Sequence, residues 1–266
     1  MAGIVWGGTF KQGVDYDHPL NRRCTTTRIQ GSASSNDISS CVEMPDGDLL
    51  IGTNGKGLYK YNTAASKFTQ VQYSSASGKD NTIVSLLTDS KGRLWIGTYM
   101  DGLYCYKGGR FEHYTTTTNA PGQIQLPDDN IWSLVEDASG NIWIGTMNMG
   151  LFRLDEREMK LIPFENKNNQ NACVESAFRD KQNNLWFGTS WGIYIIKPNG
   201  TTDKFFEFNK GNDRSSEKNY INSIAQDKKG YYWIATSGGL AILDKKSYKY
   251  HFFSSEEGLN NKYVYM

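Results

Sequence analysis

The sequence is poor in the side chains that most catalytic and metal sites use. Its 266 residues include three histidines and four cysteines. The cysteines (Cys24, Cys41, Cys105 and Cys173) have no CxxC or other metal-ligand spacing, so we expect buried free thiols. The HExxH, GxSxG and phosphate-binding P-loop motifs are also missing from the sequence. We therefore predict that this segment has no metal, no other cofactor and no catalytic activity.

Net charge and long apolar runs are scarce as well. The 29 basic and 28 acidic residues give a formal charge of +1, which excludes the strongly basic surface of a nucleic-acid binder. No stretch approaches the ~20 apolar residues that cross a bilayer. The N-terminus MAGIVWGGTF lacks the basic and apolar regions of a signal peptide. We expect this segment to touch neither nucleic acid nor membrane. It is then either cytoplasmic or excised from a larger protein, and its start inside a repeat favours excision.

What the sequence does have is a repeat. The frame Gly-x-apolar-Trp-apolar-Gly-Thr, followed by a short variable insert and Gly-apolar, recurs every 43 to 48 residues. Its six copies are anchored at Trp6, Leu50, Trp95, Trp143, Trp186 and Trp233. Self-similarity at this period is typical of propellers and solenoids.

One copy shows what each repeat forms. IWSLVE (131–136), NIWIGT (141–146), GLFRLD (150–155) and KLIPF (160–164) are strand-like and are separated by turn residues. We name these strands A, B, C and D. Strand B is apolar at consecutive positions, which indicates a strand covered on both faces. We therefore predict an all-β fold, a β-propeller of four-stranded antiparallel blades. We expect one domain over 1–266 with six blades, or part of a seven-bladed ring, and a strand within 256–266 that closes the first blade.

The residues that recur in each copy of the frame have physical explanations. A turn glycine supplies positive φ, and Asn183 replaces it in one copy. The Gly-Thr pair after strand B allows a neighbouring blade to approach closely, and the Trp fills the space between blades. An Asp recurs at the start of the turn between strands A and B, and its turn position explains it. The four copies of this residue are Asp89, Asp137, Asp180 and Asp227.

The frame DxxGNIWIGTxxxGL, carried by 137–151, 89–103 and less strictly 180–193, resembles the two-component regulator propeller repeat. FEHY at 111–114 and EEGLNNKYV at 256–264 are similar to that family too. The resemblance implies the periplasmic sensor region of a hybrid two-component system histidine kinase. It also implies oligosaccharide sensing, dimerisation, and signalling through the remaining domains of a larger sensor protein. Three positions depart from the pattern, Met44, Leu50 and Ala235.

Two other functions fit a propeller. One is a lyase or glycosidase with catalytic groups at the mouth of the channel, for which Asp128 and Asp129 are the candidates. The other is a WD-type protein-binding scaffold with an exposed apolar face. Among the histidines, we interpret His113 and His251 as ordinary exposed residues of strand D. His18, beside Asp15 and Asp17, is either part of a metal or acid-base set or a solvated turn residue.

A ligand site is expected at the B–C inserts and D–A loops. The A–B turns are uniform, whereas the inserts read FKQ, NGK, YMD, MNM, SW and SG. A scaffold that varies one face usually binds with it. Tyr99, Trp132 and Trp191 would stack on a sugar ring, and Lys56, Asp101 and Asn148 would bind hydroxyls or acidic groups. Trp132 could instead pack between blades, and Trp191 could anchor a loop.

Overall fold

The chain is almost entirely strand. The computed structural model describes residues 5–9, 13–17, 24–29, 37–73, 81–165, 172–208 and 217–253. These ranges contain 23 strands and one 3₁₀ helix, Glu217–Asn219, with no α-helix. None of the helical structure in them is long and apolar enough to cross a membrane.

The strands form six antiparallel sheets, numbered here in chain order. Sheet 1 contains β1 (Val5–Thr9), β2 (Gly13–Asp17) and β3 (Cys24–Thr27). Sheet 2 contains β4 (Ile38–Glu43), β5 (Leu49–Thr53), β6 (Leu58–Asn62) and β7 (Lys67–Val71). Sheet 3 contains β8 (Ile83–Thr88), β9 (Leu94–Thr98), β10 (Leu103–Lys107) and β11 (Arg110–Tyr114). Sheet 4 contains β12 (Ile131–Glu136), β13 (Ile142–Thr146), β14 (Leu151–Asp155) and β15 (Lys160–Pro163). Sheet 5 contains β16 (Val174–Arg179), β17 (Leu185–Thr189), β18 (Gly192–Ile196) and β19 (Thr202–Phe206). Sheet 6 contains β20 (Ile221–Gln226), β21 (Tyr232–Thr236), β22 (Gly239–Asp244) and β23 (Lys249–Phe253).

Each four-stranded sheet is a meander of strands A, B, C and D in chain order. This confirms the predicted four-stranded antiparallel unit, and sheet 1 corresponds to strands B, C and D of its repeat. The predicted closing strand within 256–266 lies outside the described residues, so closure of the ring stays a prediction.

The chain divides into two compact units. Unit 1 comprises residues 1–117 and 129–131, and unit 2 comprises residues 118–128 and 132–266. In unit 1, β1 packs against β4, and β4 and β5 pack against β8. In unit 2, β13 packs against β16, and β16 and β17 pack against β20. Each unit therefore repeats one contact, in which strands A and B of one sheet meet strand A of the next. A single domain over 1–266 stays a prediction.

Strand B is the buried centre of sheets 2 to 5. All five residues of β5, β9, β13 and β17 are buried. The apolar run of strand B thus predicted correctly that neighbouring sheets cover both of its faces. In unit 2 the Trp of strand B fills the space between sheets, as expected. The Trp186 ring stacks on Tyr232 of sheet 6 with centroids 4.0 Å apart, and Trp143 lies 5.6 Å from Phe187.

The glycine near the end of strand B is required by close approach. A Cβ atom at Gly188 would lie 2.6 Å from Ile221 Cγ2, and one at Gly52 would lie 2.6 Å from Ile83 Cγ2. At Gly97 the obstacle is the Ile131 carbonyl oxygen, at 2.7 Å. Real Cβ atoms do not approach so closely, so a side chain here would push the next strand A away.

The threonine that ends strand B closes the link to strand C. Its hydroxyl donates a hydrogen bond to the carbonyl of the first glycine of strand C, over 2.7 to 3.0 Å. The five threonines are Thr53, Thr98, Thr146, Thr189 and Thr236. The chain therefore turns from strand B into strand C in the same way, whatever residues the insert contains.

The turn aspartate binds strand B as well as its own turn. Asp180 accepts hydrogen bonds from the N–H groups of Gln182 and Asn184, and its second oxygen accepts the indole N–H of Trp186. The equivalent carboxylate–indole distances in sheets 3, 4, 5 and 6 are 2.8, 3.0, 2.9 and 3.2 Å. Burial acts to raise the pKa of Asp180, but the hydrogen bonds outweigh it and lower the pKa. We call this arrangement the Asp–Trp clamp. It locks the A–B turn onto strand B.

Sheet 2 lacks both members of the clamp. Met44 stands at the Asp position and Leu50 at the Trp position. The backbone bonds of the turn persist, since the Met44 N–H donates to the Asp48 carbonyl over 2.8 Å. The joint loss of Asp and Trp in one copy is the sequence signal that the two residues interact.

Replacing Gly188 with alanine tests the close approach. We expect Gly188→Ala to lower the free energy of unfolding by about 1–3 kcal/mol, as overpacking of a core does. Because the added Cβ would clash with Ile221 as well as with the Ser176 hydroxyl of its own sheet, the loss in Gly188→Ala/Ile221→Ala should be smaller than the sum of the two single losses. Denaturant unfolding of the three variants measures this. Strictly additive losses would show that the glycine does not set the spacing of the sheets.

Candidate functional site

Two edges of each sheet differ in how variable they are. In an antiparallel meander the A–B and C–D turns share one edge, which we call the turn edge, and the B–C inserts and D–A loops share the other, the insert edge. Lys56, Tyr99 and Asp101 lie in the inserts of unit 1. Asn148 and Trp191 lie in the inserts of unit 2, and Trp132 lies in β12, also in unit 2.

Backbone hydrogen bonds hold the insert edge in place. The N–H of the glycine before strand C donates to a carbonyl in the loop that leads to the next strand A. These bonds are Gly57 to Asn81 at 2.9 Å, Gly102 to Asp129 at 2.8 Å and Gly150 to Ala172 at 3.1 Å. The insert side chains are therefore presented from a backbone that is tied to the neighbouring repeat.

In unit 1 the predicted residues take different roles. Tyr99 is 44% exposed, and Lys56 is half-buried. Asp101 is buried, and its carboxylate accepts hydrogen bonds from the Asn81 amide and from the Tyr104 hydroxyl. Asp101 thus holds the insert against the preceding loop, and Tyr99 is the side chain that this insert offers to a ligand.

The environment of His113 corrects an expectation. We expected an ordinary exposed residue, but the imidazole stacks on the Tyr104 ring with centroids 4.0 Å apart. Its Nε2 atom lies 2.7 Å from the Asp101 carbonyl oxygen. The alternating pattern of strand D did not reveal this, because the partner ring belongs to strand C. His251 is exposed, as expected, and His18 lies outside the described residues.

The cysteines also differ from expectation in part. Cys105 is buried and Cys173 is half-buried, but Cys41 is exposed. Burial raises the pKa of the Cys105 thiol to about 12 and that of Cys173 to about 11. Both thiols are therefore protonated near neutral pH and are poor nucleophiles.

The carboxylate pair considered as catalytic instead fixes two loops. In unit 2 the Asp128 carboxylate accepts hydrogen bonds from the backbone N–H and the side-chain amide of Asn148, at 2.9 and 3.1 Å. In unit 1 the Asp129 carboxylate accepts the N–H and the hydroxyl of Thr116, at 2.7 and 2.9 Å. Each carboxylate is thus engaged by a different segment, which explains the two adjacent aspartates structurally.

The two candidate tryptophans, Trp132 and Trp191, are both half-buried. The backbone N–H of Trp191 donates to the Thr189 hydroxyl over 3.1 Å, so its insert is anchored. The indole N–H of Trp132 is buried and has no hydrogen-bond partner among the described residues. A buried indole donor normally finds an acceptor, so Trp132 retains bonding capacity.

Trp132 occupies the position of strand A at which four other sheets are irregular. The pairing of strands A and B shifts register at the second residue of strand A in sheets 2, 3, 5 and 6. The residues at this position, Trp132 included, are Ser39, Val84, Trp132, Glu175 and Asn222. A β-bulge re-aims a side chain and is common beside binding sites. The signal was present in the sequence as a recurring Ile/Val-x-Ser frame whose central residue alone varies in character.

Glu175 is a candidate site residue that the sequence reasoning missed. Its Oε2 atom is buried and has no hydrogen-bond partner among the described residues. Burial raises the pKa of Glu175 from its ordinary value of 4.5 to about 7, and a hydrogen bond from Tyr220 acts weakly in the opposite direction. Tyr220 also lies 4.0 Å from the Cys173 sulfur, and the charge of Asp128 helps to raise the pKa of Cys173. Asp128, Cys173, Glu175 and Tyr220 therefore form one neighbourhood, the Glu175 cluster.

The cluster lies beside Trp132. The Ser133 hydroxyl donates a hydrogen bond to the Val174 carbonyl over 2.8 Å, which joins the residue after Trp132 to the residue before Glu175. An indole donor and a carboxyl acceptor, each with bonding capacity left, thus occur on the A strands of two neighbouring sheets. A ligand hydroxyl is the kind of group that can satisfy both. In the described ranges, no three His, Cys, Asp or Glu side chains are grouped to hold a metal ion.

The raised pKa of Glu175 predicts a pH dependence of stability. A carboxyl group that ionises less readily in the folded state destabilises that state progressively as the pH rises from about 4.5 to about 7. We therefore expect Glu175→Gln to gain roughly 1–3 kcal/mol of stability relative to the parent protein between about pH 5 and about pH 8, after allowing for solvent screening.

Chemical denaturation at several pH values checks this, with the exposed residue Glu165→Gln as the control. A difference between the Glu175→Gln variant and the parent that stays constant with pH would show that Glu175 is not desolvated.

Comparisons with known proteins agree with the repeat and the fold. The family model "Two component regulator propeller" matches residues 77–100, 125–148 and 215–238, which contain strands A and B of sheets 3, 4 and 6. No curated protein matches the chain significantly.

Three solved structures show the same fold. The extracellular domain of BT4673 from B. thetaiotaomicron, proposed to be a one component system, is 22% identical with a TM-score of 0.76, covering 99% of this chain and 34% of that one. A second structure of BT4673, there proposed to be a hybrid two component system, is 20% identical with a TM-score of 0.55, covering 95% and 40%. Virginiamycin B lyase from Staphylococcus aureus is 18% identical with a TM-score of 0.61, covering 82% and 69%.

The chain thus spans little more than a third of the length of the BT4673 domain. At these identities the likenesses show the fold alone. With the family matches they confirm the resemblance that the sequence predicts: the chain is a β-propeller protein that contains two component regulator propeller repeats.

Proposed function

We propose that this chain is a propeller of an extracytoplasmic sensor and that it binds an oligosaccharide at the insert edge. The observation that supports this most is the presence of two component regulator propeller repeats in a chain whose full length superposes on an extracellular domain. In this proposal the chain is periplasmic and dimeric. The remaining domains of a larger protein, including a histidine kinase, carry the signal onward.

The location of the ligand is argued from the contrast between the two edges. At the turn edge the Asp–Trp clamp fixes four of the A–B turns in one geometry. At the insert edge the backbone is equally regular, but the side chains differ. Tyr99, Met100 and Met149 are 44%, 69% and 45% exposed, and all three belong to B–C inserts. Exposed apolar side chains on a rigid support are typical of a binding surface.

Unit 2 has polar groups of its own that suit a sugar. Asn148 is exposed in its insert, Trp191 is half-buried in the next insert, and the Glu175 cluster lies where the loops lead into strands A. An aromatic ring with a few amide and carboxyl groups around it is the usual composition of a small-molecule site. Lys56 and Tyr99 would make the corresponding contacts in unit 1.

A propeller enzyme is the alternative. Its support is the fold likeness to virginiamycin B lyase and a carboxyl group, Glu175, whose pKa of about 7 suits proton transfer near neutral pH. Against it, both Asp128 and Asp129 are engaged by loop hydrogen bonds. We therefore expect binding without turnover. Cleavage of an oligosaccharide or a lactone that is lost in Glu175→Gln would establish the enzyme instead.

A thermal-shift screen against neutral plant and host oligosaccharides tests the proposal. A ligand at about a hundred times its dissociation constant adds about 2.7 kcal/mol, which raises the melting temperature of a domain of this size by roughly 5–10 °C. We expect Tyr99→Ala or Trp191→Ala to reduce the shift produced by a saccharide that binds. Tyr106→Ala is the control, because Tyr106 is 39% exposed but belongs to strand C.

Two results would contradict the proposal. One is that no oligosaccharide raises the melting temperature. The other is that the shift survives in both Tyr99→Ala and Trp191→Ala, which would place the ligand away from the inserts.

A further inference from the structure

A cavity of about 720 Å³ lies at the turn edge of sheets 5 and 6, within unit 2. Its lining includes Lys229, Lys245, Lys246, Gln182, Tyr231 and Tyr248. This is the edge opposite to the inserts, so the cavity is separate from the proposed oligosaccharide surface. Its size lies within the ~300–1,000 Å³ of small-molecule sites.

The charge of this cavity is positive. Three lysines line it against one carboxylate, that of Asp244, which accepts hydrogen bonds from the Lys246 N–H and the Ser247 hydroxyl at 3.1 and 2.6 Å. Lys229 and Lys246 are exposed. A concave surface with excess cations concentrates anions.

One of the lysines is held in position. The Lys245 Nζ atom lies 3.7 Å from the Asp180 carboxylate and 5.7 Å from the centre of the Trp186 ring. Asp180 is itself fixed by the Asp–Trp clamp and by the Tyr232 hydroxyl, which donates to it over 2.8 Å. The clamp therefore orients one cation, and the two exposed lysines line the same cavity.

The aromatic side chains of the lining offer a surface on which a ligand ring can stack. Tyr231 is 42% exposed at the cavity, although its neighbour Tyr232 is buried. The Tyr248 ring is half-buried, and the Lys204 Nζ atom lies 3.6 Å from its centre. Beside them Gln182 supplies an exposed amide. The lining thus combines ammonium groups for an anion, an aromatic face for a ring and an amide for hydroxyls.

The repeat itself does not require these lysines. A corresponding cavity of about 440 Å³ lies between the A–B turn of sheet 4 and the C–D turn of sheet 5. Its lining includes Ser139, Asn141, Pro198 and Asn199, and its one cation, Arg153, is accompanied by the Asp137 carboxylate. The lysines are therefore a property of the cavity at sheet 6 and not of the fold.

We infer that this lysine-lined cavity is a second ligand site, which binds a ring compound carrying a carboxylate or sulfate group. The anion lies between Lys229, Lys245 and Lys246, and the ring lies on Tyr231. The inference does not depend on the proposed oligosaccharide surface, because no residue is shared between the two.

Calorimetric titration with trigalacturonate tests the site, with neutral maltotriose and inorganic sulfate as comparison ligands. We expect trigalacturonate to bind and Lys229→Ala/Lys246→Ala to weaken it about tenfold or more, since each ammonium–carboxylate hydrogen bond is lost. Added salt should weaken the binding to the parent protein. Tyr231→Ala should weaken trigalacturonate but leave sulfate unchanged.

The chain offers a matched control for the loss of charge. Lys91 and Arg157 occupy the same turn positions in sheets 3 and 4, and the N–H of each donates to the preceding aspartate as those of Lys229 and Lys246 do. Lys91→Ala/Arg157→Ala should bind trigalacturonate as the parent protein does.

Equal weakening in the two double variants would show attraction by net charge alone and would overturn the site. So would unchanged binding in Lys229→Ala/Lys246→Ala, or binding of maltotriose that depends on Lys229 and Lys246. None of these results bears on the thermal-shift test of the insert edge, so the two proposals fail separately.

Discussion

The packing of the sheets depends on a position that carries no side chain. At the glycine near the end of strand B, strand A of the next sheet approaches so closely that a Cβ atom would lie within 2.6 to 2.7 Å of it. This contact sets the spacing of the sheets in both units. The Thr–Gly hydrogen bond that follows then reverses the chain into strand C over 2.7 to 3.0 Å in every case. Because these contacts fix the spacing of the sheets and the turn from strand B into strand C, the residues of the insert can vary without disturbing the scaffold.

The Asp–Trp clamp explains why the opposite edge varies less. One carboxylate holds two backbone N–H groups of the A–B turn and the indole of strand B, so a substitution of either residue leaves a buried polar group unpaired. In sheet 2 both partners are replaced together, by Met44 and Leu50, so neither an aspartate nor an indole is left unpaired. The clamp of sheet 5 also contacts Lys245 of sheet 6, so the same carboxylate that fixes a turn positions one cation of the lysine-lined cavity.

The periodic part of the structure could be predicted from the sequence, and the irregular part could not. The frame around Trp143 and Trp186 predicted strand B, its burial and the neighbouring glycine, because these features repeat locally along the chain. The environment of His113 depends on Tyr104 of the adjacent strand, and the pKa of Glu175 depends on burial by other strands. Asp101 and Asn148 were selected as free polar groups, but each is bonded to a residue twenty positions earlier in a loop. Such pairings involve side chains whose spacing follows no repeat, although the variable centre of Ile/Val-x-Ser did mark Glu175.

Amide hydrogen exchange with and without a neutral oligosaccharide that raises the melting temperature tests the central claim most directly. The claim is that a constant scaffold presents variable inserts to the ligand. It predicts added protection in peptides that contain Tyr99, Asn148 or Trp191, and unchanged exchange in peptides of the A–B turns around Gly92, Gly140 and Gly230. Protection confined to the A–B turns, with none at the inserts, would contradict it.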